Sequence, residues 1–390
     1  MIRVLVAHNR YRSSAPSGEN ETVDAEVALL RDGGHEVVTL VTESDDLGPG
    51  AAGLLRAAPG PVYSPSGVRR FRRLVHEHRP DVVHLHNVYP LISPWVVRVA
   101  EREGVPVVQT VHNYRHGCVN GLHLRDGRTC TDCLGTRLGL PAVRHGCYRG
   151  SRAQTVPMSV GQVVHRATWR DGVARYLALT PFMADLLTST GVPRERITIR
   201  PTWVPDPGDS TPPGRTVLYV GRLDEAKGID RLLDAWSAAG GRGALGGRRL
   251  VVAGDGPMAD RVSAAAAADP SVQWLGQVPR DEVGRAITEA AYVVVPSRVF
   301  EGYPLVVAEA FARGRPVLTC AGGSVGTLVD DATGWVVDQS VDGLGGALTT
   351  ITDEQVASRR SSARARYLAE SSPEQALRSL TQAYRQVIGR

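Results

Sequence analysis

Lysine is nearly missing from this chain. Of its 45 basic side chains, Lys227 is the single lysine and the rest are arginine. Such a bias points to a GC-rich genome, and it makes the one lysine informative, because coding pressure toward arginine was resisted there. Cysteine is sparse, at five in 390 residues, which excludes a disulfide-dense scaffold. No apolar run approaches the ~18 residues that a membrane-spanning helix needs. The first residues, MIRVLVA, enter a strand-like pattern without the layout of a signal peptide, so a cytoplasmic protein is expected. Aromatic residues make up only 5% and do not interleave with the arginines, which argues against nucleic acid as a partner.

What is present is globular in balance, with 42% hydrophobic and 22% charged residues. The length predicts two or three domains. Residues 1–200 carry 25 basic and 18 acidic side chains, and residues 201–390 carry 20 and 22. All 11 histidines and four of the five cysteines fall in the first half. The halves therefore differ as two domains with different tasks would. The one arginine run, Arg69, Arg70, Arg72 and Arg73, suits the solvated face of a helix; the other reading is a shallow, peripheral attraction to an anionic membrane surface.

Hydrophobic patterning predicts strands at 2–7, 36–40, 81–85, 105–111 and 175–179, with a helix over 20–31 stopped by Gly33-Gly34. Five prolines, from Pro201 to Pro213, mark a linker. The alternation then restarts, with strands at 216–220, 249–253, 272–275, 292–295, 317–319 and 335–337, a helix at 229–239 and a closing amphipathic helix at 374–388. Alternating strands and helices imply parallel sheets covered on both faces. The expected fold class is α/β, with two doubly wound, Rossmann-like domains facing a central cleft and ligands at the carboxyl ends of the strands. The expected boundaries are 1–203 and 204–372, a cysteine-rich insert at 113–150, and a helix at 373–390 that returns to the first domain. After Val6 the chain reads Ala7-His8-Asn9-Arg10, not a Gly-x-Gly-x-x-Gly loop, which argues against a dinucleotide oxidoreductase.

The second half carries two chemical motifs. In TVLYVGRLDEAK (residues 216–227) a strand ends at Val220, Gly221 permits a turn, and Arg222 and Lys227 follow. A forked guanidinium and a compact ammonium at one strand end suit a diphosphate. In VVVPSRVFEGYPLVVAE (residues 293–309) a strand meets a loop holding Glu301-Gly302, and Pro304 is placed at the first position of a helix. Leu305 and Val306 then lie in the first turn, where backbone N–H groups are free for an anion, with Glu309 a turn further on. Carboxylates accept from hydroxyls, so Glu301 and Glu309 suit a sugar and a ribose on either side of the phosphates.

Arg222, Lys227, Glu301 and Glu309 resemble the R…K…E-x7-E pattern of family 4 glycosyltransferases with the GT-B fold, and Gly254-Asp255-Gly256-Pro257 and Gly276-Gln277-Val278 resemble its companion motifs. The resemblance implies that Arg222 and Lys227 bind the donor diphosphate, that Glu309 holds the ribose, and that Glu301 holds the donor sugar. Gly221, Gly302, Tyr303, Leu305 and Val306 would line the donor, with the backbone of Val278 at the base. It also implies retention of the anomeric configuration and no cofactor for catalysis, with a UDP-sugar as the first choice of donor and GDP- and dTDP-sugars left open. The chain has no Asp-x-Asp metal clamp. In the first half, the family places a histidine where His112 stands in QTVHNY, near the reacting end of the donor sugar. Gly18 and Glu19 (after Ser17, where many relatives have glycine), His86 and Asn113 are the acceptor-side candidates.

Cys118, Cys130, Cys133 and Cys147 fall within 30 residues, in a segment with little apolar periodicity. Four thiolates around a structural Zn²⁺ would staple it, and free or disulfide-bonded thiols are the alternative. The expected function is transfer of a sugar from a nucleotide-sugar donor to a hydroxyl acceptor in glycan or natural-product biosynthesis. Two alternatives stand beside it: a 2-epimerase-like enzyme on the same fold, and a non-catalytic zinc-stapled binding protein.

Overall fold

The computed structural model describes residues 1–13, 18–136, 138–208, 211–240 and 245–389. The chain divides into two units. Unit 1 comprises Met1–His123, Cys130–Pro201 and Ala376–Arg390, and unit 2 comprises Leu124–Thr129 and Thr202–Gln375. In chain order the strands are β1 (Arg3–Arg10), β2 (Glu36–Glu43), β3 (Val82–Leu85), β4 (Val107–Val111), β5 (Leu124–Arg125), β6 (Arg128–Thr129), β7 (Arg175–Ala178) and β8 (Ile197–Ile199), followed by β9 (Thr216–Val220), β10 (Arg249–Ala253), β11 (Val272–Trp274), β12 (Ala290–Val295), β13 (Val317–Cys320) and β14 (Gly334–Val337).

Unit 1 holds one six-stranded sheet in the order β2-β1-β3-β4-β7-β8, and every pair is parallel. Unit 2 repeats the plan in the order β11-β10-β9-β12-β13-β14, again all parallel. In both sheets the chain starts in the middle, builds outward on one side, and then crosses over to build the other. Helices cover both faces, so the central strands must be apolar on both sides. β1 meets that demand with Val4, Leu5, Val6 and Ala7, and all six residues of β12 are buried.

The helix Pro373–Val387 completes the core of unit 1. Its Leu380, Ala383, Tyr384 and Val387 pack with Val4, Val6, Val82 and Leu177. The segment just before it belongs to unit 2, within which Arg364 forks onto both carboxylate oxygens of Asp206 at 2.8 and 2.9 Å, and Tyr367 donates to Val204 O at 3.0 Å. The proline-rich linker is pinned as well. Arg315, fully buried, donates to Thr211 O at 2.9 Å and to Pro212 O at 3.2 Å.

Several local expectations change. The helix read as starting with Pro304 at its first position begins at Leu305, with Pro304 as its cap in extended conformation. Strand β8 escaped notice because its two isoleucines, Ile197 and Ile199, stand isolated between Arg196 and Arg200. The cysteine-rich insert, despite its little apolar periodicity, contains the β5–β6 hairpin and the helix Leu140–His145, and its Val119 and Ala142 form a small cluster with Met158 of the next helix, with Cys133 and Cys147 packed against it. The arginine run lies exposed on the helix Pro65–His78, whose Val68, Phe71 and Val75 face inward. No helix among the described residues is long and apolar enough to cross a membrane.

Because Leu380 is fully buried in the core of unit 1, truncating it leaves a cavity. Leu380→Ala is expected to lower unfolding stability by about 2–5 kcal/mol. Urea denaturation of the full chain checks this, and an unchanged midpoint would mean that the helix contributes little to that core.

Candidate active site

In unit 2 the loops leaving β9, β10 and β11 are joined backbone to backbone. Gly221 N donates to Ala253 O at 3.1 Å, Leu223 N to Asp255 O at 2.9 Å, and Gly254 N to Gly276 O at 2.8 Å. Side chains have no room here: a Cβ on Gly254 would stand 1.9 Å from Gly221 O. The loops after β9 and β12 are tied in the same way, by Arg298 N donating to Ala226 O at 2.9 Å. The lysine loop and the glutamate loop are thereby held side by side.

Lys227 and Glu301, assigned above to different parts of a ligand, form one ion pair, Nζ to Oε2 at 2.5 Å. Asp224 caps the short turn that carries Lys227 by accepting from its N–H at 3.0 Å, and the same carboxylate meets Arg222 Nε at 3.0 Å. Ser297 donates to the second oxygen of Glu301, and Ser324 to its carbonyl. Glu301 is consequently fixed and only 10% exposed, whereas the Arg222 side chain is 67% exposed. Glu309, inside the helix Leu305–Ala312, stands 3.5 Å from Arg280. Gly302, Tyr303, Leu305 and Val306 lead into that helix half-buried, and Val278 lies two residues before the helix Arg280–Glu289. Sequence reasoning named both members of the ion pair but missed Asp224 and Ser297, which orient them.

In unit 1 the carboxyl edge of the sheet is lined with histidine. His84 and His86 are two apart along β3 and its exit, so they share a face. Both approach one oxygen of Glu26: His84 Nδ1 lies 3.2 Å and His86 Nε2 3.4 Å from Oε1. Arg200 Nη1 meets the other oxygen at 2.8 Å, and Glu26 and Arg200 are 2% and 3% exposed. Burial pushes the Glu26 carboxyl up, but the Arg200 charge and then the two imidazoles outweigh it, holding it well below the carboxylate range. His84 is occupied on both nitrogens, by Tyr384 OH at 2.7 Å and Thr110 Oγ1 at 2.8 Å, so it is part of the core. His86 Nδ1 is 2.9 Å from His112 Nε2.

His112 meets three of the four acceptor-side candidates, Glu19, His86 and Asn113. A small cavity of about 30 Å³ is lined by Glu19, His86, His112 and Asn113, among others. Tyr11 joins two of them, donating to Glu19 Oε2 at 3.0 Å and accepting from Asn113 Nδ2 at 3.4 Å. Arg115 lies over the rings of Tyr11 and Tyr89. Gly18 is the first residue of its helix, and Ser17 lies outside the described residues. Glu26 and Arg200 were missed by sequence reasoning. The available signal was a carboxylate on the apolar face of the first helix, beside Val23, Val27 and Leu30.

None of the four insert cysteines is in a disulfide; Cys118 is buried and the others half-buried. Burial above all, with Cys118, Cys147 and Cys130 adding to it, pushes the Cys133 thiol up to about 11, so the four share one neighbourhood. Cys118 Sγ donates to Asn120 Oδ1 at 2.9 Å. The set suits Zn²⁺ in ligand type and number, though not yet in spacing. Among the described residues, the three ligand atoms that lie within 4.8 Å of one another belong to Glu26, His84 and His86.

Comparison with known proteins gives matches in both units. A family described as "Glycosyl transferase 4-like domain" matches residues 17–203, and one described as "Glycosyl transferases group 1" matches residues 214–354. The chain is 27% identical over 332 residues to phosphatidyl-myo-inositol mannosyltransferase of Mycobacterium leprae, covering 79% of this chain and 76% of that protein. It is 26% identical over 301 residues to a glycogen synthase of Mycobacterium tuberculosis, covering 74% and 64%. Among solved structures, Anabaena HepE with UDP and glucose superposes with a TM-score of 0.66 at 13% identity, over 99% of this chain and 100% of that one. Sucrose-phosphate synthase of Thermosynechococcus elongatus gives 0.67 at 18%, over 98% of each.

The histidines predict a pH dependence. Burial above all lowers His112 to about 3 and His8 and His116 to about 4, and it holds His84 well below its ordinary 6.5. Between pH 6.5 and 4 the unfolded chain therefore binds protons that the folded chain does not. Their contribution to stability is fully present above pH 6.5 and is lost as pH falls. The thermal unfolding midpoint should drop across that window, and a flat profile would mean that these rings protonate in the folded state.

Proposed function

Because the chain belongs to family 4 of the glycosyltransferases, with the GT-B fold, we propose that it transfers a sugar from a UDP-sugar to a hydroxyl acceptor with retention of configuration. The observation that carries this reading is the Lys227–Glu301 ion pair beside Arg222, at the carboxyl edge of the second sheet. Glu301 holds the Lys227 ammonium in place at 2.5 Å, and its carboxylate can accept from sugar hydroxyls. Lys227, Arg222 and the free amides that open the helix Leu305–Ala312 would face the diphosphate. Glu309 is read as the ribose acceptor and Val278 as the backbone at the base.

In the reaction the bond from the anomeric carbon to the diphosphate oxygen breaks, and its electron pair leaves with the diphosphate. The acceptor oxygen bonds to the same carbon, and its proton passes to a phosphate oxygen. Two cations and oriented amides stabilise the growing negative charge without a metal at the diphosphate. UDP is favoured by the HepE complex, whose name includes it; the relative "GDP-mannose-dependent alpha-(1-6)-phosphatidylinositol dimannoside mannosyltransferase" makes GDP the competitor.

The acceptor is read from unit 1. A groove of about 430 Å³ there is lined by Leu54, Leu55, Pro157 and Met158 together with Arg12 and Arg149. Apolar walls with two cations favour an acceptor hydroxyl carried on an anionic lipid over a free sugar. The four insert cysteines are read as binding one structural Zn²⁺, whose double charge would relieve the mutual repulsion of their thiolates.

Lys227→Ala and Glu301→Ala are each expected to lower turnover about 100-fold or more with the fold intact. UDP release in the presence of a polyprenyl-phosphate-linked sugar is expected to exceed release with the free sugar, and to survive brief EDTA. Near-normal turnover in both variants would remove the site assignment. A donor sugar changed without any acceptor would replace transfer with epimerisation.

Elemental analysis of protein purified without added metal should find about one zinc per chain. Four freely titratable thiols in folded, metal-free protein would refute the zinc reading, and two disulfides would replace it.

A further inference from the structure

We infer that Glu26 is a positioning residue: acting through His86, it fixes which nitrogen of His112 carries the proton, so that His112 presents a bare Nδ1 and accepts a hydrogen bond from a substrate hydroxyl. The starting point is the 2.9 Å bond between His86 Nδ1 and His112 Nε2. A neutral imidazole has one N–H and one lone pair, so this bond can be built in only two ways. Either His86 donates and His112 carries its own proton on Nδ1, or His112 donates from Nε2 and its Nδ1 is bare.

The choice is made at the other end of His86. Its Nε2 is buried without a hydrogen-bond partner, and the polar atom facing it is Glu26 Oε1, 3.4 Å away. Glu26 is an anion, paired on its second oxygen with Arg200, and an anion has no proton to give. A bare lone pair on His86 Nε2 would stand against that carboxylate, whereas an N–H is attracted to it. His86 is therefore protonated on Nε2, its Nδ1 accepts, and His112 must donate from Nε2.

The other groups around His86 leave this choice in place. His84 shares Glu26 Oε1 at 3.2 Å, but its two nitrogens are served by Tyr384 and Thr110, hydroxyls that can donate or accept. His8 meets the His86 ring edge-on, with centroids 6.1 Å apart, and its Nε2 is engaged by Asn20 at 2.9 Å. Nδ1 of His112 makes no hydrogen bond to any described residue. A bare nitrogen there suits a hydroxyl. It cannot serve a phosphate oxygen, which only accepts. The hydroxyl rests on the reading that substrate reaches His112; the tautomer does not.

The experiment is two-bond ¹H–¹⁵N correlation NMR on the full chain with ¹⁵N-labelled histidine at neutral pH, the His112 signals being assigned by their loss in His112→Gln. The expected wild-type pattern has protons on Nε2 of both His86 and His112. In Glu26→Gln, whose amide can present either an oxygen or an N–H, His112 should shift toward the Nδ1–H form. Its kcat should fall about tenfold, the worth of one well-made hydrogen bond, while the donor KM changes by less than about twofold. A wild-type His112 protonated on Nδ1 overturns the inference, even if Glu26→Gln fails to fold. So does a folded Glu26→Gln with unchanged tautomer. If wild-type protein transfers no sugar from any nucleotide donor, the proposed reaction fails while the tautomer result stands by itself.

Discussion

A carboxylate sealed from water must be neutralised from within, and unit 1 is arranged around that requirement at Glu26. Arg200 arrives just beyond the sheet's last strand, and His84 and His86 arrive from its middle. Tyr384 arrives from the final helix and reaches the same carboxylate through His84. Elements far apart in sequence thus converge on one charge. Removing any one of them would leave a buried ionic or polar group unmatched, which is among the more damaging changes a core can suffer. Two of the histidines of this half, His84 and His86, answer the constraint directly by approaching the same carboxylate oxygen.

Unit 2 solves a different problem by different means. Its edge has to present cations to solvent without letting them wander, and it does so by bringing backbones closer than side chains would allow. The glycine contacts between the β9 and β10 loops, and the capping of the lysine turn by Asp224, fix the frame. That frame carries the Lys227–Glu301 pair and leaves the Arg222 side chain projecting from it. One unit fixes its groups by burial and the other by close backbone approach, which matches the split in charge and histidine content between the two halves.

The sheets were largely legible in the sequence, because buried parallel strands are continuous apolar runs and β9 and β10 match their expected ends to the residue. The motif residues of unit 2 were legible for a similar reason, since they follow directly on those strands. What stayed hidden depends on partners distant in sequence. Glu26 and Arg200 are 174 positions apart, and nothing local marks either as half of an ion pair. His86 was visible as a histidine at a strand end, but its burial between a carboxylate and a second ring was not. Nor was the small cluster under the insert, because its Val119 and Ala142 follow no helical or strand period and their partner Met158 lies in the next helix.

The closing helix, Pro373–Val387, has a consequence for how the chain comes to be folded. Unit 1 begins at the first residue, yet its core is filled by Leu380, Tyr384 and Val387. A ribosome making this protein releases the whole of unit 2 before it releases those side chains. Until then the apolar face they cover, and the His84 ring that Tyr384 serves, remain open to water. Of the two units, the one synthesised first is therefore the last to finish folding, and until its closing helix is made it exposes apolar surface that invites aggregation.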